Sequence, residues 1–193
     1  MKIYLIRHGQ TTGDVEDRYG GDYDDHLTDE GKRQSRELAG KLKHSGIEVI
    51  FCSPKIRARE TAEIIATEIG CRVEVADNVR ERNMYGILTG MIKSKAKERY
   101  PEHVGALSNQ RHTIPESEDY EHFTDRITKA LAQITAQHYQ TIAILSHGGP
   151  VSFIFREIME LGDVKIEDCG FAELTSRDGE LSLVRTDGIS VLN

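Results

Sequence analysis

"KIYLIRHGQTT", residues 2–12, decides how this chain is read. Ile3, Tyr4, Leu5 and Ile6 make an apolar run of strand length with no polar alternation. Such a run fits a strand covered on both faces, as strands of parallel sheets are. The run ends abruptly in Arg7, His8 and Gly9, so a buried strand delivers a guanidinium and an imidazole side by side at its far end.

The pattern recurs. "IEVIFCS" (residues 47–53) and "TIAILSH" (residues 141–147) are continuous apolar strands as well. One stops at Ser53 with Arg57 just beyond; the other stops at His147, followed by Gly148 and Gly149. Helical patterns separate them. Residues 28–46 form a helix with Thr28 as N-cap, Leu38 and Leu42 one turn apart and Gly46 as its stop. Residues 54–70 form the next, with Pro54 in its first turn and Gly70 as the stop. "RVEVA" is a short strand. Ser117 caps a helix on which Tyr120, Phe123, Ile127, Ala130, Leu131 and Ile134 share a face. Residues 148–161 read as a helix, and residues 171–188 as two strands around an Asp178–Gly179 turn.

Strands alternating with helices predict an α/β fold. The expected architecture is a three-layer α/β/α sandwich with a mostly parallel central sheet and an antiparallel edge. We read residues 1–193 as a single domain, with the weakly periodic residues 78–116 as an insertion covering a pocket. Ligands of such sheets bind beyond the carboxyl ends of the strands.

Composition narrows the function. The chain has 193 residues, 38 % hydrophobic and 30 % charged, with a net charge of −7. A nucleic-acid binder needs a basic face, which this balance does not favour. No run is long and apolar enough for a membrane span, and the N-terminus lacks a signal-peptide pattern. Cys52, Cys71 and Cys169 are widely spaced and read as reduced packing residues of a cytoplasmic protein.

If the three strands are neighbours, Arg7, His8, Arg57 and His147 meet in one volume. Packed cations are tolerated when an anion, usually phosphate, lies between them. Two helices also start there, adding the partial positive charge of their N-termini. Gly9, Gly148 and Gly149 let the backbone come close. A single Arg-His pair carries little weight; its recurrence at three strand ends carries the reading. Zinc prefers three or four ligands. The neighbours of these histidines are arginines, which points away from a metal.

With these residues in place, "RHGQTT", "SPKIRARETA", "RERNMYG" and "LSHGG" resemble, in this order, the motifs of the histidine phosphatase superfamily, also called the phosphoglycerate mutase-like family. "GGDYDDHLTDEG" (residues 20–31) is similar to the family's segment after the first strand.

The resemblance implies a phosphoglycerate mutase-like fold and a division of labour. His8 is the nucleophile and forms a phosphohistidine. Arg7, Arg57 and His147 hold the non-bridging oxygens of the phosphoryl group. Glu81 is the general acid and then the general base, because a carboxyl beside bound phosphate holds its proton longer. Gly9, Gln10, Thr11, Gly20, Gly21 and Gly148 join the phosphate- and substrate-binding set. Asp14 stands where relatives carry a phosphate-contacting asparagine; it repels phosphate unless protonated or turned away, and is assigned to a substrate hydroxyl instead.

Phosphatase and mutase share this machinery. Lys93 falls where mutases carry a substrate lysine. Residues 102–116, however, carry only Arg111 where mutases have adjacent arginines, and "ERNMYG" is one residue longer than the mutase spacing. The reading favours a metal-independent, histidine acid phosphatase-type phosphomonoesterase acting on a small phosphorylated metabolite. It expects no cofactor, no nucleic-acid partner and no membrane partner. A mutase, primed by a 2,3-bisphosphoglycerate-type cofactor, is the second reading, and a phosphoanion-binding module without turnover the third. Oligomeric state is not legible in the sequence.

Overall fold

A computed structural model describes residues 1–192 apart from Gln110 and Asp178. Six strands form its sheet: β1 (Lys2–Arg7), β2 (Val49–Cys52), β3 (Arg72–Val75), β4 (Thr141–Ser146), β5 (Val164–Arg177) and β6 (Glu180–Val191). The order across the sheet is β3-β2-β4-β1-β5-β6. The first four strands are parallel, and β5 and β6 add an antiparallel edge. The main helices are α1 (Thr12–Val15), α2 (Asp29–Leu42), α3 (Ile56–Ile69), α4 (Lys93–Arg99), α5 (Pro101–Ala106), α6 (Tyr120–Thr135) and α7 (Gly148–Phe153). After α7 the chain widens into a π-helical turn, Ile154–Ile158.

The period of two along each strand splits the core into two faces. Ile3, Leu5, Phe51, Ile142 and Ile144 pack with Phe123, Ile127 and Ile134 of α6 and Val151 of α7. Tyr4, Ile6, Ile50, Ala143 and Leu145 pack with Leu38 and Leu42 of α2 and Ala58, Ala62 and Ile65 of α3. The sheet is therefore covered on both sides, which is why its strands are apolar at every position. Each leucine or isoleucine fully buried here contributes about 1.5–3 kcal/mol.

Register positions the strand ends. Arg7 lies opposite Ser146, and Cys52 opposite Leu145. Parallel strands in step bring the next residues, His8, His147 and Ser53, to one level at one edge of the sheet. The backbone continues the register briefly: the His8 N–H donates to Ser146 and the Ser53 N–H to Leu145.

Several boundaries differ from the sequence reading. Lys55, not a residue of the Pro54 turn, is the N-cap of α3, which leaves Pro54 outside the helix. The Lys55 N–H donates to Ser53 Oγ, and this tight turn delays the helix. Asp119 caps α6, its side chain accepting from the His122 N–H; Ser117 instead folds back on Ile114, where its hydroxyl donates to the carbonyl and accepts from the N–H. α2 ends at Leu42, and Gly46 (φ 78°) makes the turn after it. β5 begins at Val164, earlier than residue 171, because a bulge between Ile166 and Phe171 hides the alternation. Of the turn at Asp178–Gly179, Asp178 lies outside the described residues. Among the described residues no helix is long and apolar enough to cross a membrane.

Candidate active site

His8 follows directly from β1 and is buried. Its Nδ1 lies 2.8 Å from the carbonyl oxygen of Gly9. A carbonyl can only accept, so the proton is on Nδ1 and Nε2 carries the lone pair. Arg57, in the first turn of α3, donates Nε–H to that nitrogen at 3.2 Å. Burial first, then the charges of Arg57 and Arg7, hold the His8 imidazole well below its ordinary range, so it is neutral.

His147 stands beside it, with ring centroids 5.0 Å apart in an edge-on arrangement. It is wholly buried, and burial together with Arg57 and His8 keeps it neutral as well. Its Nε2 is 2.7 Å from Ser53 Oγ. Nδ1 has no hydrogen-bond partner among the described residues, which is uncommon for a buried polar atom.

Arg57 is fixed from every side. Nη1 donates to the Tyr23 carbonyl at 2.6 Å and to Asp25 Oδ1 at 3.0 Å, and Nη2 donates to the Gly21 carbonyl at 3.0 Å. Arg7 is held from β5: Nη1 donates to the Ile166 carbonyl, and Nη2 pairs with Asp168 at 3.1 Å. The β5 bulge makes this possible. It also turns the Cys169 N–H onto the His8 carbonyl, with Cys169 itself in a left-handed conformation. Burial pushes the Asp168 carboxyl up, against the opposing pull of Arg7.

Glu81 arrives from the segment after β3. Its Oε1 accepts from the Arg82 N–H at 2.8 Å and its Oε2 from the Gly149 N–H at 3.1 Å. Gly149 is required here: a Cβ on it would lie 2.2 Å from Glu81 Oε1.

These groups border a cavity of about 590 Å³. Arg7, His8, Thr11, Asp14, Gly20, Gly21, Arg57, Glu81, Lys93 and Gly148 line it, as do Asp25, Arg82 and Tyr85, which the sequence did not single out. Lys93 is half-exposed and pairs with Asp17 at 2.6 Å. His147 lies behind His8, off the cavity wall.

Three of the expected binding residues have partners within the fold. Gln10 is turned away: its side-chain oxygen accepts from the Thr28 hydroxyl at 2.8 Å, and its N–H donates to Gln34. Gly9 serves packing. A Cβ there would sit 2.7 Å from the Gly31 carbonyl oxygen at the start of α2. Asp14 lies on the cavity wall, and its Oδ2 accepts from the N–H and hydroxyl of Thr11, closing the capping box of α1.

A phosphoglycerate mutase-like α/β fold with a histidine–arginine cluster at the ends of its parallel strands thus defines the class of protein. The comparisons agree with it. Residues 3–187 match the model of the histidine phosphatase superfamily (branch 1), and the chain belongs to that family. It is 31 % identical over 157 residues to "Uncharacterized phosphatase PhoE" of Bacillus subtilis, covering 81 % of this chain and 76 % of that one. It is 36 % identical over 134 residues to "Probable phosphoglycerate mutase GpmB" of Escherichia coli, covering 68 % and 61 %. Among solved structures it resembles the alpha-ribazole phosphatase of Shigella flexneri, with a TM-score of 0.85, 25 % identity and the full length of both chains covered.

Proposed function

We propose that this chain hydrolyses small phosphomonoesters without a metal, through a phosphohistidine on His8. One observation carries the reading: the neutral imidazole of His8 turns its lone pair on Nε2 toward the Arg57 guanidinium on the wall of an open cavity.

In the first step the entering phosphoryl group takes over the Arg57 Nε–H, which frees the Nε2 lone pair to attack phosphorus. The N–P bond forms while the ester P–O bond breaks, and the leaving oxygen takes a proton from Glu81. In the second step water gives a proton to Glu81 and attacks phosphorus, freeing His8 and releasing phosphate. Arg57 and Arg7, on the cavity wall, meet the charge that spreads over the non-bridging oxygens, with His147 buried edge-on against His8; the loss of one such donor costs on the order of 10²–10³-fold in rate in other enzymes. Ser53 Oγ accepts from the Lys55 N–H, so its own proton is available for His147 Nε2.

Phosphatase is favoured over mutase by Arg111. Its side chain is 75 % exposed and lies over the ring of Tyr120, outside the cavity lining. Lys93 on the cavity wall is the observation on the mutase side.

The test is a screen of phosphomonoesters, with p-nitrophenyl phosphate and 3-phosphoglycerate among them, scored for both free phosphate and isomerised product. Free phosphate, insensitivity to EDTA and an acid-labile phosphoenzyme that disappears in His8→Ala are expected. Isomerised product without phosphate release favours the mutase reading. Full activity in His8→Ala removes the covalent mechanism, and inhibition by EDTA removes the metal-independent one.

A further inference from the structure

We propose that Asp25 is a positioning residue for phosphoryl transfer, locking Arg57 in the orientation that points Nε at His8; this rests on the role proposed for Arg57. The loop between Gly20 and Leu27 is laid along the start of α3 by three carboxylates on three successive partners. Asp22 pairs with Lys55 at 2.6 Å. Asp24 Oδ1 accepts from the Ile56 N–H at 2.8 Å. Asp25 Oδ1 takes Arg57 Nη1 at 3.0 Å. Asp25 is the buried member of the three, 5 % exposed against 4 % for Arg57.

The donors of Arg57 explain why a carboxylate is needed. Of the guanidinium's five N–H groups, four are engaged among the described residues, by His8 Nε2, the Tyr23 and Gly21 carbonyls and Asp25. The two carbonyls orient the group, and among the described residues Asp25 is the carboxylate that pairs with it, both side chains buried. A buried arginine without that pairing is costly to hold beside His8. Asp25 is itself anchored: Oδ2 accepts from the Gly13 N–H at 3.1 Å. Both oxygens therefore accept, and an asparagine could serve only one of the two donors. The contact is closely fitted, since a Cβ on Gly13 would lie 2.5 Å from Oδ2.

The experiment is a double-mutant cycle of Asp25→Asn and Arg57→Ala with p-nitrophenyl phosphate, together with inhibition by vanadate and by inorganic phosphate. Vanadate reports the fit to the transition state, phosphate the fit to the ground state. Asp25→Asn is expected to lower kcat by on the order of 10–10²-fold, and to weaken vanadate by a similar factor while phosphate inhibition moves by less than about threefold. In the Arg57→Ala background Asp25→Asn should add no further loss, because its effect passes through Arg57. Gly13→Ala, which displaces the carboxylate without touching Arg57, should shift kcat and vanadate in the same direction and covers the case in which Asp25→Asn does not fold. Independent, additive losses overturn the inference, as does equal weakening of vanadate and phosphate or an unchanged kcat in both Asp25→Asn and Gly13→Ala. Arg57→Ala with full activity would instead overturn the role of Arg57, a separate and distinguishable failure.

Discussion

Arg126 of α6 donates from Nη2 to the main-chain oxygen of Glu81 at 3.0 Å. The same guanidinium reaches the carbonyls of Asn78 and Arg80 through Nη1, and it pairs through Nε and Nη2 with both carboxylate oxygens of Glu118. One buried side chain thus ties the segment carrying Glu81 to the residue just before α6. The segment between them, with its own small apolar cluster of Leu88, Ala96 and Ile114, is closed at its base by this ion pair.

Arg126→Met is therefore expected to lose up to about 3–5 kcal/mol of stability, because it leaves the buried Glu118 carboxylate with only the longer contacts to Arg80 and His122. Replacing both residues, Arg126→Met with Glu118→Leu, should recover part of that loss. Urea unfolding of the two variants measures it. A double variant no more stable than the single one would show that the carbonyl contacts, not the ion pair, dominate.

The two buried imidazoles set a pH dependence of folding. Both His8 and His147 are held well below the ordinary value of 6.5, by burial first and then by Arg57. Unfolded, each takes up a proton as the pH drops through 6.5; folded, each resists it. The unfolded chain then binds more protons, so the stability present above 6.5 is lost progressively below it. In phosphate-free buffer, His8→Asn should reduce the slope of unfolding free energy against pH in this acidic range by about 1.4 kcal/mol per pH unit. An unchanged slope would mean that His8 is protonated in the folded protein.

The strand ends were legible because they broke a strong pattern: three apolar runs each stopped at a nitrogen-rich or hydroxyl residue. The extent of β1 and the Thr28 cap of α2 followed from local chemistry alone. Asp25 did not. "GGDYDDH" holds three aspartates, and which of them is buried depends on how the loop lies along α3, a relation across 32 residues. Asp168 was hidden for a similar reason, since the bulge that aims it at Arg7 also destroys the strand period. Arg126 did leave a trace. It sits three residues after Phe123 and four before Ala130, on the apolar face of α6, where a charge implies a buried partner. The partners of Gln10 and Asp14 were not legible, because proximity in sequence to His8 says nothing about side-chain direction; Thr28 and Thr11 hold them.

The last prediction concerns Gly149, whose N–H donates to Glu81 while its missing side chain leaves room for that carboxylate. Gly149→Ala is compatible with the backbone, because Gly149 lies within α7 and has no positive φ. Alanine also favours a helix over glycine by about 1 kcal/mol. The new methyl would stand 2.2 Å from Glu81 Oε1, and the flexible end of that side chain must move aside. The fold should therefore survive while the proton donor is displaced. Substrates with good leaving groups, such as p-nitrophenyl phosphate, need little protonation and should lose little rate. Alkyl phosphates need the proton and should lose on the order of 10²-fold or more, the range of general-acid catalysis. A plot of kcat/KM against leaving-group pKa measures this: its slope should steepen in Gly149→Ala with the melting temperature unchanged or raised. A parallel drop across all substrates would place the proton elsewhere and leave Glu81 as a neighbour of the reaction, not its acid.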